Sequence, residues 1–294
     1  MQEDTFPPSL SADDAVARPS VPDARRAPES AAVLSLEDLG AGYRRLRLAS
    51  PRIAAAAVPG RFVHVRVPAL DASAMRRPIS VCDADPAAGV LTLLFKVVGR
   101  GTAALAAVRG GDRVDLMGPL GNGFPLPPDG SAALLVGGGY GVAPLHFLAR
   151  ASLARAGEIH LFAGGRTASD LLLLDDFRAL GVGVHPATDD GSLGAKGLVT
   201  APLDAFLDAR GGVGDPATPP PVLYACGPAP MLRAIDERAQ ARGIEAWLSL
   251  DRRMLCGVGA CLGCTQTVRV GDSVATARVC ADGPVFPRGR IVWD

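Results

Sequence analysis

Residues 131–150 read SAALLVGGGYGVAPLHFLAR. An apolar run of strand type ends in three glycines and passes directly into a helical pattern that opens near Pro144. A strand running through glycines into a helix is the unit of parallel sheets. Glycines at that junction also let a pyrophosphate approach the backbone and the helix N-terminus. The motif departs from G-x-G-x-x-G, because Pro144 stands where the third glycine would sit. On the glycines alone, a tight turn without a ligand is an equally good reading. The alternation continues downstream. EIHLFAGG (158–165), VGVHPATDD (182–190), PVLYACG (221–227) and GIEAWLSL (243–250) read as strands. ASDLLLLDDFRALG (168–181), GLVTAPLDAFLDARG (197–211) and PAPMLRAIDERAQARG (228–243) read as helices between them. Residues 129–248 are therefore expected to form a doubly wound parallel sheet, with GGVGDPATPPP (211–221) as a long loop. Cys226, Gly227 and Pro228 fall at the carboxyl edge of a late strand, where such sheets bind ligands. A buried free cysteine there is also a common small core residue.

Upstream the rhythm is different. RRLRLAS (44–50), RFVHVRVP (61–68), RPISVCDA (77–84), VLTLLFKVVG (90–99) and DRVDLMGPL (112–120) are short apolar stretches separated by Gly- and Pro-containing turns. Regular short strands predict an antiparallel barrel or sandwich over residues 31–128. Two segments in this block could carry chemistry. Arg77-Pro78-Ile79-Ser80 sets an arginine, a rigid turn and a hydroxyl in sequence. Gly99-Arg100-Gly101-Thr102 could aim backbone N–H groups at a phosphate. Each would equally serve as a plain strand start or turn.

Four of the six cysteines lie near the C-terminus, in LCGVGACLGCTQTVRVGDSVATARVC (255–280). Cys256, Cys261 and Cys264 follow C-x4-C-x2-C, and Cys280 comes fifteen intervening residues later. This is the order of the plant-type [2Fe–2S] site, with a shorter last gap. A four-cysteine zinc site usually shows two C-x2-C knuckles, and only one is present, so zinc is the lesser reading. Residues 249–294 are expected to form a small cluster-binding domain.

Thirty basic residues balance thirty acidic ones, which argues against a general nucleic-acid binder and against a polybasic membrane-surface protein. No apolar run approaches the roughly 20 residues that span a bilayer. Residues 1–30 combine acidic, Pro and Ala composition without periodicity and read as a disordered extension, not a signal peptide. The expected compartment is the cytoplasm, where clustered cysteines more often serve metal or redox chemistry than disulfides.

Taken in order, RPIS (77–80), FKVVGRGT (95–102), GPLGNGF (118–124), GGGYGVAP (137–144) and YACGPAPML (224–232) resemble the ferredoxin-reductase-like flavoproteins. CGVGACLGC (256–264), Cys280 and ADGPVF (281–286) resemble the iron–sulfur tail of one branch, the electron-transfer subunits of the NAD-dependent (class 1B) bacterial dihydroorotate dehydrogenase. The resemblance covers about residues 31–294.

It implies residue roles. Arg77, Pro78, Ile79 and Ser80 would hold FAD, with Arg77 on the pyrophosphate and Ser80 near the reactive flavin edge. Leu94, Phe95 and Lys96 would line the flavin, and Gly101 and Thr102 would bind its phosphates. Gly137, Gly138, Gly139 and Gly141, with Gly227 and Pro228, would receive NAD. Cys226 would lie beside the nicotinamide, making it and Ser80 the catalytic candidates. Cys256, Cys261, Cys264 and Cys280 would ligate a [2Fe–2S] cluster. Tyr140, Lys96, the extension and the longer Cys264–Cys280 gap depart from the usual pattern. Arg166 would suit a 2′-phosphate, whereas the family implies NAD.

The implied chemistry is electron transfer in pyrimidine (UMP) biosynthesis. Nicotinamide exchanges a hydride, a cluster exchanges single electrons, and a flavin couples the two. In the family, dihydroorotate is oxidised on a separate FMN-containing catalytic subunit, and a heterotetramer of two of each chain is expected by analogy. His64, His146, His160 and His185 are scattered and form no recognisable catalytic pair. Two other readings stay open. One is an NAD(P)H-dependent reductase serving another partner, such as an oxygenase or hydrogenase. The other is a zinc-stabilised nucleotide-binding module without redox activity.

Overall fold

The computed structural model describes residues 28–66, 75–210 and 219–293. Most of the expected N-terminal extension, and residues 211–218 of the expected long loop, lie outside them.

Strands β1 (Pro28–Gly40), β2 (Tyr43–Ala49), β3 (Phe62–Arg66), β4 (Arg77–Asp85), β5 (Val90–Lys96) and β6 (Arg113–Leu120) close into an antiparallel barrel in the order β1-β2-β5-β4-β3-β6. The cause is period-two alternation. Leu46, Leu48, Val63, Val65, Val81, Leu91 and Leu93 point inward and pack as one core, while Arg45 and Arg47 point away. Closure leaves no unpaired edge. Short helices α1 (Pro51–Ala56) and α2 (Arg100–Leu105) flank the barrel. Gly101 and Thr102 thus sit in the first turn of α2, where the sequence suggested a turn at a strand end.

The second unit has β7 (Ala132–Gly138), α3 (Val142–Ser152), β8 (Glu158–Gly165), α4 (Leu174–Ala179), β9 (Gly183–Thr188), β10 (Ala195–Lys196), α5 (Thr200–Ala209), β11 (Val222–Cys226), α6 (Ala229–Ala241) and β12 (Glu245–Ser249). A small hairpin of β13 (Thr265–Val270) and β14 (Ser273–Arg278) follows, then β15 (Val285–Pro287). The sheet order is β10-β9-β8-β7-β11-β12-β15. All its pairs are parallel except β12–β15, which is antiparallel. The order reverses between β7 and β11, so a ligand crevice is expected at their carboxyl ends.

Several contacts fix the units to one another, two of them through α3 and through the C-terminal segment. α3 is wedged between sheet and barrel. Its Leu145 and Leu148 join the sheet core, while Phe147 packs into the barrel core. Its Arg150 pairs with Asp83 of β4 at 2.5 Å. The second contact is Asn122, just after the barrel. Its side chain accepts from the Val285 amide at 2.9 Å and donates to the Val285 carbonyl at 2.8 Å. The C-terminal segment is thereby tied to the barrel exit and to the sheet. Among the described residues no helix is long and apolar enough to cross a membrane.

Candidate functional site

Two cavities adjoin at the switch point. The first, about 300 Å³, lies between the barrel and the C-terminal segment. It collects all nine residues expected to meet a flavin: Arg77 to Ser80 of β4, Leu94 to Lys96 of β5, and Gly101 and Thr102 of α2. β4 and β5 are neighbours in the barrel, which is why stretches far apart in sequence converge. The Arg77 guanidinium lies directly against Gly101, which brings the β4 arginine onto the first turn of α2. Arg77 also donates to the Met75 carbonyl. The Thr102 hydroxyl is committed to its own loop: it accepts from the amides of Val98 (2.9 Å) and Gly99 (3.1 Å).

The second cavity, about 630 Å³, opens at the carboxyl ends of the parallel strands and is lined by Gly138, Gly139, Gly141, Gly227 and Pro228. Gly137 lies behind it, where a Cβ would meet Val142. Gly139 holds φ +54°, and a Cβ on Gly141 would collide with the Cys226 carbonyl. The two glycine turns therefore cross backbone against backbone, and only glycine permits that approach.

Lys96, Tyr140, Gly141, Cys226 and Asp251 line both cavities. They mark the place where a ligand in one would meet a ligand in the other. Cys226 is buried there, and that burial, helped by Asp251, pushes its thiol up to about 12. It is a neutral thiol at physiological pH, not a nucleophilic thiolate. The Tyr140 hydroxyl donates to Asp251 at 2.9 Å. Burial, then the Asp251 charge, raises its pKa well above the ordinary value.

A second polar group joins barrel and sheet. Tyr43 of β2 donates to Asp170 at 2.8 Å, and Lys96 of β5 reaches the Tyr43 oxygen at 3.0 Å and Asp170 at 3.3 Å. Burial works against the Asp170 carboxylate, but Tyr43, Lys96 and Arg166 outweigh it and lower its pKa. Arg166 stands on the rim of the second cavity, 3.6 Å from Asp170. Tyr43, Asp170 and Asp251 escaped the sequence reading. Asp251 alone left a signal, since it follows a strand at the carboxyl edge.

The four cysteine thiols lie on one loop and one hairpin end. Cys261 is exposed, Cys256 half-buried, and Cys264 and Cys280 buried. All four thiols are free; Cys256 and Cys261 are near neighbours, as are Cys264 and Cys280. Among the described residues no three metal-ligating side chains converge on a single ion position. Two sulfur pairs suit two irons better than one tetrahedral zinc. The loop also turns amides toward sulfur: Gly259 N to Cys280 Sγ at 3.1 Å, Cys280 N to Cys264 Sγ at 3.4 Å, and Val258 N to Cys256 Sγ at 3.5 Å. Burial resists ionisation of Cys256, but the amides of Val258, Cys261 and Ala260 and the Cys261 thiol bring it down to about 6. Burial and the neighbouring Cys264 push Cys280 up to about 12. The residues fit an anionic sulfur-ligated group.

Phe62 of β3 lines the first cavity and packs in the same apolar cluster as Cys264 and Cys280. Met254, two residues before Cys256, lines the same cavity, so the chain leading into the cysteine loop forms part of its wall. Next to Phe62 on its face of β3 is His64, which burial, then the charges of Arg76 and Arg77, holds down at about 4.

Comparison with known proteins adds an independent line. Residues 31–124 match the profile of the oxidoreductase FAD-binding domain, and 135–237 that of the oxidoreductase NAD-binding domain. Residues 251–292 match the iron–sulfur cluster binding domain of dihydroorotate dehydrogenase B. The electron transfer subunit of dihydroorotate dehydrogenase B (NAD(+)) from Bacillus caldolyticus is 47% identical over 236 residues, covering 80% of this chain and 86% of the relative. Its counterpart from Desulforamulus reducens is 40% identical over 245 residues, covering 83% and 90%. Among solved structures, the NADH-dependent reduced ferredoxin–NADP oxidoreductase aligns at TM-score 0.76 and 30% identity, covering 90% of each chain. The ferredoxin reductase of carbazole 1,9a-dioxygenase aligns at TM-score 0.63 and 25% identity, covering 74% and 66%.

Proposed function

The chain belongs to the family of dihydroorotate dehydrogenase B electron-transfer subunits, and from that premise we propose how its own residues carry the electrons. It is an oxidoreductase subunit with domains for FAD, NAD and an iron–sulfur cluster. When bound, the cluster exchanges single electrons, the nicotinamide exchanges a hydride, and the flavin couples the two.

Arg77 binds the flavin pyrophosphate, and Ser80, Leu94, Phe95 and Lys96 orient the ring from the paired strands β4 and β5. Gly138, Gly139 and Gly141 admit the dinucleotide, and the buried neutral thiol of Cys226 flanks the nicotinamide and excludes water without competing as a nucleophile. Cys256, Cys261, Cys264 and Cys280 hold the cluster as two sulfur pairs. The Cys264–Cys280 pair lies at the buried end of the site. The Cys256–Cys261 pair lies at the exposed end, where Leu255 and Leu262 are 54% and 62% exposed. Apolar side chains of that size exposed beside a redox centre suit a docking face. The partner is the catalytic subunit, FMN-containing and assembled with this chain two to two.

One observation carries the reading: the first cavity shares five residues with the second and is lined by Met254, two residues before Cys256. The test is the visible spectrum of the full chain purified anaerobically. Flavin and iron–sulfur bands should both bleach on adding NADH. They should bleach again when dihydroorotate is supplied with the FMN-containing catalytic subunit. A colourless folded protein with bound zinc overturns the redox assignment. Bleaching by NADH alone leaves the redox core standing and points to a different partner.

A further inference from the structure

His64 alone among the four histidines is fully buried. His146 approaches the Cys82 carbonyl at 3.4 Å, and His160 meets Glu158 and His185 at 3.0 and 3.1 Å. Neither ring nitrogen of His64 has a hydrogen-bond partner among the described residues. A buried polar group left unpaired is costly, so a partner brought into place when a ligand binds is the economical explanation.

The position of the ring narrows that partner. In FVHVR (62–66), Val63 and Val65 face the barrel interior, which sends Phe62 and His64 outward. Outward positions on a barrel usually meet solvent. Here His64 meets the cysteine loop. The His64 ring lies directly over Gly257, the residue after Cys256, and a Cβ on Gly257 would come within 2.7 Å of His64 Nδ1. Gly257 also holds φ +70°, so the loop is shaped to the ring at a residue without a side chain. On the other flank, His64 packs edge-on to Phe62 with ring centroids 6.3 Å apart, and it pairs in register with Pro78 of the flavin-binding stretch. The imidazole therefore stands between the flavin strands and the cluster loop.

We propose that His64 is a positioning residue that donates its N–H to the sulfur set at the Cys256 end of the cluster site. The bond ties β3 to the cluster loop and makes the cluster easier to reduce. The physical reason is charge. Reduction adds negative charge to a group already anionic, and an N–H aimed at its sulfur stabilises the reduced form more than the oxidised one. The inference rests on the reading that the four cysteines hold a [2Fe–2S] cluster.

The experiment uses the full chain purified anaerobically as wild type, His64→Leu and His64→Gln. Iron, sulfide and flavin are measured first, and the cluster is then titrated with EPR detection. The expected result is a cluster roughly tenfold harder to reduce in His64→Leu, 59 mV lower for a one-electron couple. His64→Gln, which keeps an N–H, should fall between the two. An unchanged or raised potential in His64→Leu at full iron content overturns the proposal. The sign is diagnostic, because a merely loosened packing admits water, which favours the more negative reduced form and shifts the potential upward. Should both variants lose the cluster, the wild type labelled with [15N]histidine decides. Pulsed EPR of the reduced cluster should show coupling to a single histidine nitrogen, and its absence refutes the assignment. A wild type without iron removes the cluster reading itself, and the inference with it.

Discussion

The glycine crossing at Gly141 and Cys226 and the cysteine loop at residues 250–264 are the two proposed ligand sites, and they are built in opposite ways. At the crossing every position is the end of a regular element: β7 and β11 finish there and α3 begins there. Sheet hydrogen bonds and apolar packing on both faces hold the backbone, so a dinucleotide adds to a finished surface. The cysteine loop contains neither helix nor strand. Its amides turn toward sulfur instead of carbonyl oxygen. A loop organised around its ligating atoms gains much of its order from the metal they hold. One site is preformed, and the other is completed by what it binds.

Removing one sulfur should break that comparison most visibly. Cys261→Ser is expected to lose essentially all cluster iron while keeping stoichiometric FAD, measured by iron assay and absorbance on one sample. Retained iron would remove Cys261 from the ligand set. The crossing should yield more modestly. Gly141→Ala forces a Cβ against the Cys226 carbonyl, at a cost of about 1–3 kcal/mol. If that cost falls on the binding step, it corresponds to roughly five- to 150-fold weaker NADH binding, with FAD and iron unchanged. Wild-type NADH affinity would mean that the crossing is plastic.

The smallest effect concerns the polar group joining barrel to sheet. Asp170 has a pKa lowered by folding, so its contribution is present above the usual carboxylate value near 3.9 and fades as pH falls through the lower folded value. Asp170→Asn keeps an acceptor for Tyr43 but leaves Lys96 without its counter-charge. The expected loss at neutral pH is about 1 kcal/mol. The variant should also lack the part of the acid-side decline that wild-type stability shows. Superimposable acid limbs in thermal denaturation would exclude a role for Asp170 in holding the units together.

Local pattern carried the barrel and the sheet a long way, because alternation in RRLRLAS and the strand–glycine–helix passage at 131–150 are short-range signals. The four cysteines and the glycine turns were legible for the same reason. What escaped depends on contacts between distant segments. Tyr43 and Asp170 are 127 positions apart, and no periodicity links them. β15 joins the sheet antiparallel although only three residues long, too short to read as a strand. His64 sits at an outward position of an ordinary alternating strand, and its burial is created by another unit folding over the barrel. The segment GRGT read as a turn at a strand end because two glycines obscured the opening of α2.

The stitching of the C-terminal segment has a kinetic consequence. A redox centre on a flexible tether must find its donor or acceptor by diffusion at each turnover, and its internal rate then falls as the medium thickens. Here β15 is hydrogen-bonded into the sheet and Asn122 clasps Val285 from the barrel exit. The segment that carries the cysteine site is thus held against the barrel exit and the sheet, and does not search for the flavin site at each turnover. Solvent viscosity should slow the encounter with the partner but leave the passage of electrons inside this chain unaffected.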